Sequence, residues 1–496
     1  MSDKSIIIVG AGLAGLSAGV YAQLNGYQSQ IFELHAQPGG VCTAWKRGNY
    51  TIDGCIHWLM GAKPGMAMHR LYQEVGALEG IRLIPKSHYV RFVDQPSGQS
   101  LDITSDFERL AREMKAISPA DAKLIDEIIK ASLSVSMVDL LMDQPPELLG
   151  KLGMLGMLWR ARRLMRYVFT HGMPVEKFTE RFKSQFLRTA INQAFLPEMP
   201  LFGLLVLLGD LARQGQAVPE GGSLKFAQAI AKRYADLGGK IAYRAPVKEI
   251  LVENDRAVGM RLENGTEHRA DVVISAADGH GTIFEMLGGR YVDEKTQERY
   301  QKWPLFRPIL IVTFGLAREF TDLPSSLSVF TSKPISIGVA NSPHYFVRLS
   351  NYDATLAPAG KTVAQVIVET DFDYWWRLKD DRPRYEERKT EVARDILAHL
   401  EKLIPGVSSQ VEMTDVATPY TYWRYARIYR GAFEGWLMTP EAFRTHIPKT
   451  LPGLANFFMV GQWVEPGGGV PTAIISGRQV VQILCHHDGR KFRSEI

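Results

Sequence analysis

Apolar and polar positions along the chain follow two periods, and the switches between them mark its elements. Ile6–Val9 is an unbroken apolar run ending at a glycine, short enough for a strand buried on both faces. Leu, Ala and Val then recur at helical spacing as far as Asn25, and Gln28–Glu33 reads as a second strand. Residues from about 100 to 215 keep a helical period and are poor in strand formers. A helix over Ser223–Leu237 is followed by strands at Lys240–Tyr243, Val247–Glu253, Ala257–Leu262 and Asp271–Ser275. Asn264-Gly265 marks a tight turn before the last of these. Further strands are predicted near 308–317, 344–350 and Val363–Thr370, and a helix over about 383–403. The Tyr/Trp-rich run 420–429, with Arg424 and Tyr425, reads as a strand beside a pocket. Phe457–Val460 is one more buried strand, followed by a glycine-rich turn and a helix opening at Val470 to Thr472.

Composition alters this outline little. With 496 residues, 46% hydrophobic and 22% charged, the chain is an ordinary globular one, too long for a single simple core. A net charge of +5 is too small and too dispersed for nucleic-acid binding. Three cysteines (Cys42, Cys55, Cys485) without CxxC or CxxH spacing argue against a disulfide framework or a metal site, and the default location is cytoplasmic. The amino end lacks a small-residue cleavage site, and no run reaches the ~20 apolar residues of a membrane span. Leu149–Thr170 mixes Leu, Met, Trp and Phe with Lys151, Arg160, Arg162, Arg163 and Arg166. That is the composition of a basic amphipathic helix lying on a membrane surface, and equally of a core helix with a solvated basic face. Leu201–Leu208 reads as core or tunnel wall. The oligomeric state stays open, a homo-oligomer included.

The glycines carry the chemistry. Gly10-Ala11-Gly12-Leu13-Ala14-Gly15 is a GxGxxG directly between a buried strand and a helix. Gly10 permits the tight turn, Gly12 lets backbone amides reach a pyrophosphate, and Gly15 allows helix and strand to pack closely. Glu33, ending the next strand, is placed to accept ribose hydroxyls and to repel a 2′-phosphate. A second pair, Gly39-Gly40, about 30 residues past the first, suits a long extended FAD better than a nicotinamide cofactor, and the chain holds no other GxGxxG. Near the end, Gly461 and the run Glu465–Pro471 precede a helix whose amide dipoles would face the flavin, where negative charge develops on reduction.

With these motifs the chain resembles the carotenoid desaturase and isomerase branch of the amine-oxidase-like flavoproteins, including the retinol saturases. The matching stretches are 10–40, 50–61, 218–250, 272–278 and 460–480; the middle of the chain matches loosely, through Ala417–Pro419, Arg424-Tyr425 and Gly431–Gly435. The resemblance implies an α/β fold with a Rossmann-type FAD-binding domain of the amine-oxidase or glutathione-reductase kind. Residues 1–80, 216–290 and 441–496 would build it, 81–215 a helical, membrane-facing substrate segment, and 291–440 an inserted mixed-sheet substrate domain. It implies non-covalent FAD held by Gly10, Gly12, Leu13, Ala14, Gly15, Glu33, Gly39, Gly40, Val41, Val247, Gly461, Gly469 and Val470. Two departures stand out: Val41-Cys42 replaces an arginine common after the glycine pair, and Gln462 replaces an acid that commonly meets the ribityl chain.

Asp53-Gly54-Cys55-Ile56-His57 resembles a loop that passes the flavin in retinol saturases, which makes His57 a candidate proton relay, against a purely structural histidine. Glu434 is a second catalytic candidate, able to protonate or stabilise a cationic polyene; Glu434 and Glu465 also read as solvated surface acids. The expected activity is FAD-dependent desaturation, saturation or isomerisation of C=C bonds in a lipophilic polyene such as a carotenoid or retinoid. A flavin amine oxidase, with the 420–429 aromatics as its cage, and a non-catalytic FAD-containing lipid-binding protein are the alternatives.

Overall fold

The computed structural model describes residues 4–135, 144–150, 156, 168 and 170–495. The basic stretch between Leu149 and Thr170 therefore lies almost wholly outside the described residues. The chain opens with β1 (Ser5–Val9), α1 (Leu13–Leu24) and β2 (Gln28–Phe32), then a hairpin of β3 (Ala44–Arg47) and β4 (Tyr50–Asp53) and helix α2 (Ala67–Glu74). Strands β5 (Leu83–Pro85), β6 (His88–Asp94) and β7 (Ser100–Thr104) lead into helices α3 (Phe107–Ile117), α4 (Ala122–Ser134), α5 (Val175–Thr179), α6 (Gln185–Ala194) and α7 (Leu201–Ala212). After β8 (Ala217–Pro219) come α8 (Ser223–Asp236), β9 (Lys240–Ala242), β10 (Val247–Glu253), β11 (Arg256–Leu262), β12 (Glu267–Arg269) and β13 (Val272–Ser275). The next stretch holds α9 (Glu294–Lys302), β14 (Ile309–Leu316), β15 (Ser326–Ile337), β16 (Ala340–Leu349), β17 (Thr362–Glu369), α10 (Phe372–Leu378) and α11 (Arg382–Leu403). Strand β18 (Val411–Ala417), helices α12 (Pro419–Ala426) and α13 (Pro440–Arg444), β19 (Phe457–Met459) and α14 (Gly469–His487) complete it.

Two sheets position the site. The first is parallel, in the order β19-β13-β1-β2-β9, so its neighbours come from opposite ends of the chain. Ile6–Val9 pairs with Val272–Ser275 on one side and with Ser29–Phe32 on the other. Helices α1, α8 and α14 cover one face through the core built on Ile6, Ile8, Leu16, Tyr234, Ile274 and Val480, and β10 and β11 cover the other, where Ile7, Val9 and Val273 meet Ile250 and Met260. Coverage on both faces is why the central strands β1 and β13, and β19 beside them, read as continuous apolar runs. The second sheet is mixed, β18-β14-β17-β16-β15-β6-β7, antiparallel except where β15 runs parallel to β6. Its core is shared with α11. A separate helical core gathers α3, α4, α6 and α7 around Phe178, Leu187 and Leu204.

The structure corrects two sequence expectations about elements. Residues 419–426 form helix α12, not a strand: Thr418 and Thr421 make a reciprocal capping box and Pro419 occupies the first turn, a start that outweighs the strand preference of Tyr and Trp. The region from 100 on also opens with β7, whose alternate residues Leu101 and Ile103 are buried. Strands β3, β4, β5, β6, β8, β12, β15 and β18 are further elements absent from the sequence expectation. Leu201–Leu208 lies in α7 and is core-facing as expected.

Candidate active site

At the C-terminal edge of the parallel sheet, β1 turns into α1 through the first glycine motif. Gly10 adopts φ +99°, and a Cβ at Gly15 would stand 2.0 Å from the Gly10 carbonyl oxygen, so that position closes the turn on the helix. Gly12 caps α1 without a side-chain partner, and a Cβ there would meet nothing within 4 Å. The first-turn amides of α1, including those of Leu13 and Ala14, thus face open space. The second pair folds back on the first: Gly39 donates to the Ala11 carbonyl at 2.8 Å and bridges to Gly12, while a Cβ on Gly40 would sit 3.4 Å from the Gly12 Cα. Glu33 is buried and accepts hydrogen bonds from the Ala11 amide at 2.6 Å and the His35 amide at 2.7 Å. Burial raises its carboxyl above the usual value, and the two amides oppose that rise. Its remaining lone pairs line the cavity.

A second helix end meets the first. Gly468 caps α14, again without a side-chain partner, and Gly467, Gly468 and Gly469 all take positive φ. Gly461, with φ +97°, packs against α1: a Cβ there would lie 3.5 Å from the Ala14 methyl. Its amide is already used by the Ser476 hydroxyl at 2.8 Å, so Gly461 offers close approach rather than a free donor. Two uncapped helix N-termini converging on one space make a site for bridging phosphate and a reducible ring.

That space is a cavity of about 1500 Å³, larger than the ~300–1,000 Å³ of ordinary small-ligand sites. All thirteen residues expected to hold FAD except Gly15 line it; Val247 lies on the same wall as Lys248 and Glu263. Much of the rest of the wall is apolar, with Trp58, Phe202, Phe306, Phe346, Tyr422 and Phe433 among its aromatic side chains. Helix α12 supplies Tyr422 and Trp423 to it, whereas Tyr425 is exposed and Arg424 turns to it at 2.8 Å.

His57 sits where the two halves of this wall meet. Asp53 is pinned by Arg348 at 3.0 Å, both side chains almost wholly buried, and also receives the Ser223 hydroxyl. Arg348 continues to the Ile56 carbonyl at 2.8 Å, and Gln365 donates to the Asp53 carbonyl at 3.0 Å. Strands β16 and β17 thereby clamp the Asp53–His57 loop to α8. The His57 ring stacks on Phe346, 5.7 Å between centroids. Burial, with the charges of Arg348 and Lys86 adding, lowers its pKa well below the ordinary value, so the imidazole is neutral at pH 7. Lys86 donates to the His57 carbonyl at 3.2 Å, and burial followed by the Arg348 charge brings its ammonium down to about 7.

Neither acid is a solvated surface group. Glu434 lines the cavity beside Gly468, and burial lifts the carboxyl to about 7. Glu465 pairs at 2.7 Å with Lys449, itself fully buried. Sequence reading missed Arg348, Gln365 and Lys86, and also Asp278, a cavity carboxyl raised to about 6 by burial against hydrogen bonds from Tyr429 and Gly281. Arg348 had one visible signal, a charge set between Val347 and Leu349 in an apolar strand. Among the described residues no three His, Cys, Asp or Glu side chains group as metal ligands would, and no helix is long and apolar enough to cross a membrane.

A family model described as flavin containing amine oxidoreductase matches residues 13–485. Prolycopene isomerase of Daucus carota is 24% identical over 98% of this chain and 80% of its own length. The neurosporene-forming phytoene desaturase of Rhodobacter capsulatus is 26% identical over 96% and 93%. Among solved structures, cyclohexylamine oxidase from Brevibacterium oxydans superposes with a TM-score of 0.60 at 15% identity, covering 98% of this chain and 100% of that one. At that identity the likeness shows the fold, and the fold agrees with the α/β class read from the sequence.

Proposed function

We propose, from the premise that the chain belongs to the flavin containing amine oxidoreductase family, an FAD-dependent oxidoreductase that desaturates, saturates or isomerises C=C bonds of a lipophilic polyene. One observation carries this reading: the glycine cradle opens into an apolar, aromatic chamber with room left for a long hydrocarbon. The isomerase and desaturase named among the relatives supply the substrate class.

The residues fit the cofactor, since the space in front of Gly12 and the two uncapped helix ends would be costly to leave unfilled. Leu13 and Ala14 amides would take the phosphates and Gly469-Val470 the flavin edge. Gly39, Gly40 and Val41 would close over the pyrophosphate, Glu33 would hold the ribose, and Val247 the adenine. Bound flavin supplies hydride transfer to or from carbon. The chain's part is to hold one C–C bond in register and exclude water, which Trp58, Phe346 and Phe433 do by lining the chamber. The Glu434 carboxyl, poised near neutrality, holds a proton that a polyene carbon can take up or return. Neutral His57, stacked on Phe346, positions that part of the wall and carries no charge at pH 7.

A lipid substrate calls for access from a bilayer, and the basic stretch around Arg160–Arg166 is the candidate peripheral contact. A homo-oligomer is compatible with this. The test is anaerobic incubation of the yellow protein with fractionated polyenes, following the flavin spectrum and extracting products. Bleaching or product formation with polyenes supports the assignment. Hydrogen peroxide release with amines alone would replace it by an amine oxidase that uses Glu434 against an ammonium group.

A further inference from the structure

Two of the three cysteines face one another across the β3–β4 hairpin at the cavity wall. The ladder pairs Ala44 with Asp53, and the Gly54 amide donates to the Thr43 carbonyl at 2.9 Å. One step further, Cys42 opposes Cys55. The ladder ends there, the Thr43 amide turning to the Val41 carbonyl at 3.0 Å and the Cys42 amide to the Gly39 carbonyl at 2.9 Å, and the Cys42 and Cys55 thiols come into hydrogen-bonding contact. Both residues line the cavity; Cys42 is buried with its thiol toward the Ser223 carbonyl at 3.6 Å, and Cys55 is only half-buried.

We propose that Cys42 and Cys55 form a redox-active thiol pair, oxidised to an intramolecular disulfide by hydrogen peroxide that reaches the cavity. This does not rest on the polyene reading. Contact with the Cys55 thiol, then burial, holds the Cys42 thiol well above its usual value, so Cys55 is the first to react. The Cys55 sulfur attacks the peroxide O–O bond, one water leaves, and a sulfenic acid remains. The Cys42 sulfur then attacks that sulfur, the S–S bond forms, and the displaced hydroxide leaves as a second water with the Cys42 proton. Two thiols lose two electrons and one peroxide becomes two waters. The resulting bond would tie the turn after Gly39-Gly40 to the Asp53–His57 loop, fastening the two lips of the cofactor cradle.

The test uses the flavin-loaded protein, reduced, desalted, treated with hydrogen peroxide, blocked with N-ethylmaleimide and digested without reductant. Lys46 and Arg47 separate the two cysteines, so trypsin yields distinct peptides. The expected result is one linked Cys42–Cys55 peptide pair, two thiols lost of three, and Cys485 still blocked by maleimide. In Cys42→Ser, Cys55 is expected to accumulate a dimedone-reactive sulfenic acid; in Cys55→Ser, Cys42 remains a thiol. Recovery of the wild-type Cys42 and Cys55 peptides unlinked, each carrying maleimide, would overturn the proposal whatever the variants do.

Discussion

At the scale of single residues the glycines and Glu434 make separable predictions. Gly12 has backbone angles open to any residue and free space ahead of it, so Gly12→Ala is expected to fold normally yet purify colourless. Gly15→Ala places a methyl on a carbonyl oxygen and is expected to lower the melting temperature of the apoprotein as well; calorimetry with the absorbance near the flavin band separates the two. Glu434 sits near 7, so its proton is present below neutrality and lost as pH rises through that value. Turnover that draws on this proton therefore falls on the alkaline side. Glu434→Gln should lose roughly 10²–10⁴-fold in turnover and lose that limb of the pH profile. Stability moves with it: the folded value exceeds the unfolded one of 4.5, so this group's contribution declines as pH rises between the two and is level above. The cradle glycines were legible because each answers a local backbone demand. The state of Glu434 was not, since desolvation depends on what the rest of the chain stacks around it.

Among elements, the clamp on the Asp53–His57 loop is the telling one. Arg348→Leu leaves a buried carboxylate without its cation and should cost about 3–5 kcal/mol in urea unfolding. Adding Asp53→Leu should recover much of that loss, because a buried ion pair and an apolar pair of similar volume are often near-equivalent. A double mutant as unstable as the single would show that Asp53 matters through Ser223 and the loop amides instead. No sequence period announces such a clamp, for Asp53 and Arg348 lie in different sheets and meet only after both have formed. Strands β1, β13 and β19 of the parallel sheet were plain from the chain because burial on both faces forces continuous apolar runs. Helix α12 was misread for the opposite reason: a capping box at Thr418 and Thr421 decided it against aromatic strand preference.

For the whole molecule, one cavity joins a parallel sheet, a mixed sheet and a helical core, so its occupant should act as a cross-brace. Free FAD at a hundred times its dissociation constant should raise unfolding free energy by about 2.7 kcal/mol, and the midpoint should climb further with added cofactor. A midpoint indifferent to FAD would mean that the cradle is complete without it. The fold class was readable from the sequence, and the mixed sheet was partly so, since the polar run Thr331–Pro334 breaks the alternation of β15 where its pairing register shifts.

The strand order β19-β13-β1-β2-β9 also has a consequence in time. A ribosome adding 5–20 residues each second needs roughly ten to forty seconds between the making of Ser275 and of Phe457. For that interval β13 waits with one edge bare and α1 without the α14 helix that later lies along it. The nascent polypeptide must be shielded by chaperones or by its own partial collapse until the final strand slots in.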